Sequence, residues 1–262
     1  MDLLLNDKIA LVTASSQGIG RAVAVSLAKE GVRLAICSRD ERSIRNTADE
    51  IRTETGATVL PITADVSKGD DIDRVIKAVV QEFGTIHILV NNAGGPPTGK
   101  VTEIPDGEWE KGVQLTLMSM VRLTRAVLPL MEQQQWGRVI SMVSLAAKQP
   151  IDDLLISSTL RPGILGLSKV LANQYGKFGI TVNTVCPGYV LTKRMEELSH
   201  SRSAEKNMSY EEYLKDSARN IPIGRLGKPE EIGDVVTFLA SPKAAYINGA
   251  NVLVDGGQAK GI

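Results

Sequence analysis

The sequence predicts an α/β protein built on one doubly wound parallel sheet of about seven strands, with helices on both faces. Two observations carry this expectation. Short runs rich in Val, Ile and Thr alternate with longer segments of helical periodicity, the pattern of a parallel sheet covered on both sides. The first of these runs also leads through a glycine-bearing turn, Thr13-Ala14-Ser15-Ser16-Gln17-Gly18-Ile19-Gly20, straight into a helix.

Taken in chain order, strands are expected over residues 9–13, 33–37, 58–62, 86–90, 138–143, 181–186 and 251–254, each a short apolar run of strand-forming residues. Helices are expected over 19–30, 41–55, 70–83, 106–134, 160–178 and 229–240, the last opened by Pro229 at its first position. The long helix over 106–134 carries Leu and Val at core or subunit-interface positions, and Arg122 and Arg125 interrupt it, so it is not a membrane span. Residues 191–227 hold no strand, are polar and charged, and show one helical patch at 210–218. They follow a strand whose C-terminal end should face a ligand crevice, which marks them as a substrate lid.

No repeat, linker or low-complexity stretch divides the 262 residues, so one domain over 1–262 is expected. A composition of 43% hydrophobic and 23% charged residues suits an ordinary globular core. Thirty basic residues against thirty acidic ones exclude bulk charge as a means of binding nucleic acid or a membrane surface. Cys37 and Cys186 lie in apolar runs and read as buried thiols in a reducing compartment. Residues 1–6 are too short for a signal peptide, and a cytoplasmic location is expected. His87 and His200 lack a second ligand at metal-binding spacing, so no metal is expected.

The turn over residues 13–20 can bring backbone N–H groups and a helix dipole to a diphosphate, although Ala14 stands where a first glycine would. Past the second strand, an acidic residue would receive the ribose hydroxyl of NAD and a cation the 2′-phosphate of NADP; the residue there is Arg39. Asp65 ends the third strand, placed for an adenine amine, and Asn91-Asn92-Ala93-Gly94-Gly95 ends the fourth in a small-residue turn. A plain tight turn, a surface arginine paired with Asp40 or Glu41, and a helix-capping carboxylate are the other readings of the turn, Arg39 and Asp65.

With the stretches Gly179-Ile180-Thr181-Val182-Asn183, Pro187-Gly188 and Gly224-Arg225, and with Pro229-Glu230-Glu231 and Asp255-Gly256-Gly257, the chain resembles the short-chain dehydrogenases/reductases over nearly its whole length. The branch it resembles is that of the 3-oxoacyl-acyl-carrier-protein reductases. The resemblance implies a Rossmann-type fold, a bound NADP with NAD as the alternative, a small-molecule substrate and a homotetramer or homodimer. It places Thr13, Ser15, Ser16, Gln17, Gly18, Ile19, Gly20, Arg39, Asp65, Val66, Asn91, Ala93 and Gly94 along the cofactor. Arg161, Pro187, Gly188, Val190 and Thr192 fall at its nicotinamide end.

The family's catalytic tetrad is Asn, Ser, Tyr and Lys. Ser144 matches the Ser, whereas the Tyr position thirteen residues on holds Ser157, the Lys position four further holds Arg161, and the Asn position holds Thr116. A serine hydroxyl is a far poorer acid than a phenol and sits on a shorter stem. Arginine keeps the charge and the donors but does not titrate as a relay. Lys148 on the loop after the fifth strand, Tyr189 after Pro187-Gly188, and water polarised by Ser144, Ser157 and Arg161 are the candidate proton sources. Two functions compete: an NADP-dependent oxidoreductase with a non-standard site, and a dinucleotide-binding protein of regulatory or structural role.

Overall fold

The computed structural model describes residues 1–261. Its strands are β1 (Ile9–Val12), β2 (Arg33–Ser38), β3 (Val59–Thr63), β4 (Ile88–Asn91), β5 (Gly137–Met142), β6 (Ile180–Pro187) and β7 (Asn251–Val254). They form one parallel sheet in the order β3-β2-β1-β4-β5-β6-β7. The helices are α1 (Gly18–Lys29), α2 (Glu41–Thr55), α3 (Gly69–Phe83), α4 (Asp106–Gly112), α5 (Ser119–Gln133), α6 (Leu155–Tyr175), α7 (Lys193–Glu205), α8 (Tyr210–Arg219) and α9 (Pro229–Ala240).

Successive side chains of a strand point to opposite faces, and here both faces are apolar. Ala10, Val12, Leu34, Ile36, Ile88 and Val90 pack on one side against Val23 and Leu27 of α1, Ile44 and Ile51 of α2, and Val236 of α9. Leu11, Ala35, Cys37 and Leu89 point the other way, toward Val75 and Val79 of α3 and Leu123 and Val127 of α5. The strand order reverses about β1, which pairs with β2 on one side and β4 on the other. A ligand crevice is expected at this point, beyond the C-terminal strand ends.

Three elements differ from expectation. The helix over 106–134 is continuous but contains a π-helical turn, Val113–Met118, between α4 and α5; α4 buries only Gly112, so no apolar stripe before the turn reveals the change of phase. Helix α6 begins at Leu155, ahead of the expected 160, so Ser157 and Arg161 share its first two turns. The lid contains α7 as well as the expected helix α8. The positions that α7 buries are Met195, Ser199 and Ser203, so its packed face shows no apolar stripe. The two ends of the lid are tied by backbone hydrogen bonds, Leu191 N–H to the Gly227 carbonyl and Gly227 N–H to the Tyr189 carbonyl, both 2.9 Å.

Candidate active site

The turn between β1 and α1, expected to meet a diphosphate, presents backbone. Gly18 has φ +59°, and a Cβ on Gly20 would lie 2.4 Å from the Ala14 carbonyl oxygen and 2.7 Å from Asn92 Nδ2, so only glycine fits at position 20. Gln17, the first cap of α1, makes no side-chain cap hydrogen bond. The dipole end of α1 is thus left to a ligand, as a dinucleotide diphosphate requires. Ala14 itself adopts φ +47°, and Asn92 Nδ2 donates to its carbonyl at 3.0 Å. Asn92 is a positioning residue within a motif that sequence analysis quoted without assigning it a role.

Several residues expected along the cofactor support the turn rather than face the crevice. Thr13 and Ser15 are fully buried. The Thr13 hydroxyl donates to the Asn92 carbonyl at 2.6 Å and accepts from Asn92 N–H at 2.8 Å. The Ser15 hydroxyl donates to the Val12 carbonyl at 2.9 Å. Asn91 points into the core, where Nδ2 donates to Thr124 and Ser141. The reason is common to all three: their side chains complete the hydrogen bonding of buried backbone or core groups. Ser16 lies beside the turn, its carbonyl accepting from Thr47.

Toward the adenosine end, Arg39 is exposed and forms no ion pair among the described residues. Neither Asp40 nor Glu41 engages it; Asp40 caps α2 by accepting from Ser43 N–H, and Glu41 pairs with Arg45. Its charge remains available to a phosphate. One oxygen of Asp65 accepts from Ser67 N–H and Oγ, at 3.0 and 2.8 Å, leaving the other for a ligand. Val66 is buried beneath it, and Ala93 and Gly94 are partly and fully exposed on the turn after β4.

The other end is made of side chains around a cavity of about 210 Å³. Ile19, Ser144, Ser157, Arg161, Pro187, Gly188, Tyr189, Val190 and Thr192 all line it, so residues from four separate chain segments converge as expected. Arg161 is 8% exposed. Its Nε donates to Ser157 Oγ at 2.8 Å, and its Nη1 donates to the carbonyls of Met142, at 3.3 Å, and Val143. The end of β5 therefore clamps the guanidinium, while Nη2 has no acceptor among the described residues. Burial pulls the Arg161 pKa down to about 10, opposed by the Cys186 thiol, so the group stays cationic near neutral pH.

Because Ser157 accepts from Arg161, its own proton is free to point into the cavity. Ser144 accepts from Ala146 N–H at 3.1 Å and likewise keeps its proton. Thr192 caps α7 by accepting from Met195 N–H at 3.2 Å. Thr116 lies in the π-helical turn, 1% exposed, with its hydroxyl unpartnered.

Of the candidate proton sources, Lys148 is exposed at the end of the short helical turn after Ser144 and is not among the residues that line the cavity, although its charge acts on the Cys186 thiol beside Arg161. Tyr189 does line the cavity, but burial raises its pKa against the opposing pull of Arg202, which makes it a weaker acid than a free phenol.

The lid contributes residues that sequence reasoning missed: Arg194, Met195, Leu198 and Arg202 of α7 line the cavity, as do Gly95, Pro96, Leu145, Ile151 and Leu154. Arg194 Nη2 donates to the Pro96 carbonyl at 3.3 Å. Arg202 Nε donates to Asp153 Oδ2 at 2.7 Å. These contacts join distant chain segments, and a single helix whose packed face is largely serine gave no signal for them.

A family model described as enoyl-(acyl carrier protein) reductase matches residues 13–259. An uncharacterized oxidoreductase of Bacillus subtilis is 37% identical over 267 residues, covering 100% of both chains. The 3-oxoacyl-acyl-carrier-protein reductase of Vibrio cholerae is 33% identical and covers 97% of this chain and 98% of its own. The crystal structure of L-sorbose reductase from Gluconobacter frateurii, complexed with NADPH and L-sorbose, superposes with a TM-score of 0.96 at 32% identity, covering 100% of each chain.

Proposed function

The chain belongs to the short-chain dehydrogenase/reductase family, and on that premise we propose that it is an NADP-dependent oxidoreductase interconverting a carbonyl and a secondary alcohol. Ser157 and Arg161 stand, in this reading, where the family carries Tyr and Lys. The observation that carries it is the Arg161 guanidinium, clamped by Ser157 and the end of β5 with Nη2 free at the cavity wall. The cofactor site fits: α1 offers an uncapped N-terminus, Gly20 leaves room for backbone approach, and Arg39 is unpaired among the described residues. When bound, the dinucleotide supplies or accepts the hydride.

The chain's own residues handle the oxygen. The Ser144 and Ser157 hydroxyls donate hydrogen bonds to it, and Arg161 stabilises the negative charge that develops there. The proton comes from water held by these three groups, since Lys148 lies off the cavity and burial weakens Tyr189 as an acid. The lid over 191–227 closes the substrate side, and two or four copies assemble.

NADPH oxidation and NADP reduction against ketones, acyl thioesters and alcohols test this, with Arg161→Ala as control. Turnover well above that control supports the reading; cofactor binding without turnover overturns it. The competing reading, a dinucleotide-binding protein without catalysis, is favoured by one observation: among the described cavity-lining residues there is no phenol or amine with a lowered pKa.

A further inference from the structure

We propose that the substrate is anionic, a small oxo or hydroxy acid whose carboxylate is held by Arg194 and Arg202 of the lid while Arg161 faces the reacting oxygen. This rests on the oxidoreductase reading above. The cavity lining contains three arginines and no aspartate or glutamate among the described residues. Such a wall repels cations and attracts anions.

Arg161 is more than nine-tenths buried, and its partners are a hydroxyl and two carbonyls. Neutral acceptors satisfy individual N–H groups but do not cancel the charge, and a buried charge is costly unless an opposite one accompanies it. Arg202 does have a counterion, Asp153, which approaches from outside the lining. Its Nη2 also lies 2.6 Å from Asp153 Oδ2, and the Tyr189 hydroxyl stands beside the guanidinium, so Arg202 reaches the cavity as a partly neutralised cation. Arg194 has no ion pair among the described residues and is steadied only by the Pro96 carbonyl. A planar carboxylate accepts from guanidinium donors of this kind in short, charge-assisted hydrogen bonds.

The cofactor's own anionic groups have other partners: the α1 N-terminus for the diphosphate and Arg39 for a 2′-phosphate. Size and polarity narrow the substrate further. The cavity holds about 210 Å³, below the ~300–1,000 Å³ of pockets that take drug-sized ligands, and the nicotinamide end of the cofactor would share it through Pro187, Gly188 and Thr192. Leu145, Ile151, Leu154, Met195 and Leu198 line the rest of it and suit a short aliphatic skeleton.

The test compares acids with their neutral methyl esters: pyruvate with methyl pyruvate, and acetoacetate with methyl acetoacetate. Each is measured for NADPH-dependent turnover and, separately, for its shift of the thermal midpoint of the NADPH-saturated protein. The expected result is a kcat/KM about tenfold or more higher for the acid of at least one pair. Arg194→Met should shrink that ratio several-fold, mainly by raising KM for the acid. Asp153→Asn should enlarge it by releasing Arg202. Esters turned over as well as acids, or an Arg194→Met variant that loses NADPH affinity while its acid-to-ester ratio is unchanged, would overturn the proposal and leave the oxidoreductase reading standing. Thermal stabilisation by acids and not esters, with no turnover of these or of the ketone, acyl thioester and alcohol panel, would support the anion site and remove the oxidoreductase reading instead.

Discussion

The two ends of the crevice are built from different materials. At the end proposed for the diphosphate the uncapped groups are backbone N–H groups at the start of α1, and nearby side chains such as Thr13, Ser15 and Asn92 are spent on holding the turn. At the other end the lining groups are side chains: Ser144 after β5, Ser157 and Arg161 on α6, and the lid arginines on α7. A backbone site depends on where glycine is tolerated, so its sequence is constrained at few positions. A side-chain site can change its chemistry by exchanging one residue for another on an unchanged scaffold.

The sharpest way to break this contrast is at Gly20. A Gly20→Val side chain would collide with the Ala14 carbonyl and Asn92, so NADPH affinity should fall by about 100-fold or more, equivalent to about 2.7 kcal/mol. NADPH fluorescence titration measures this, with circular dichroism to confirm folding; unaltered binding would show that the turn is not the diphosphate site.

The matching change at the other end should act on turnover. Arg161→Ala is expected to lower kcat by about 10²- to 10³-fold, as loss of one charge-stabilising donor does. NADPH affinity should change far less than in Gly20→Val. Single-turnover and binding measurements on the same preparation separate the two, and a purely binding defect would contradict the role assigned to Arg161.

Titration sharpens the contrast further. Burial lowers the Arg161 pKa to about 10, so the cation is fully present below that pH and is lost as pH rises through it. Activity should therefore carry a descending limb near pH 10, and Arg161→Lys should retain part of the rate with a displaced limb. The sign for stability is opposite. With its folded pKa below the unfolded one, the buried charge destabilises the protein at neutral pH, and that penalty is relieved only above about 10.

The smallest effect is expected at Arg39, exposed at the adenosine end. Arg39→Ala should reduce the preference for NADP over NAD by about tenfold, near 1.4 kcal/mol. Equal titration midpoints for the two cofactors in the parent protein would remove its assignment.

Much of this was legible in the sequence. Seven strand runs, the glycine turn and the boundaries of α2 and α9 follow from periodicity and local stereochemistry, because sheet and helix formation depend on residues close in the chain. The same holds for the pairing of Ser157 with Arg161, which a spacing of four on one helix brings together. The π-helical turn was invisible, since α4 before it buries only Gly112 and offers no apolar stripe against which a change of phase could be read. Helix α7 was missed because its buried face is Met195, Ser199 and Ser203.

The sequence by itself determined the parallel sheet, the glycine turn between β1 and α1 and the identities of the residues expected at the two ends of the crevice. Only the tertiary structure decided which of them meet. It turned Thr13, Ser15 and Asn91 inward, left Lys148 exposed, and brought Arg194 and Arg202 to a wall already holding Arg161. The physical reason is range. Backbone hydrogen bonding and side-chain alternation are local, whereas the charge of a cavity is a sum over segments far apart in sequence that share a surface only after the sheet and lid have packed.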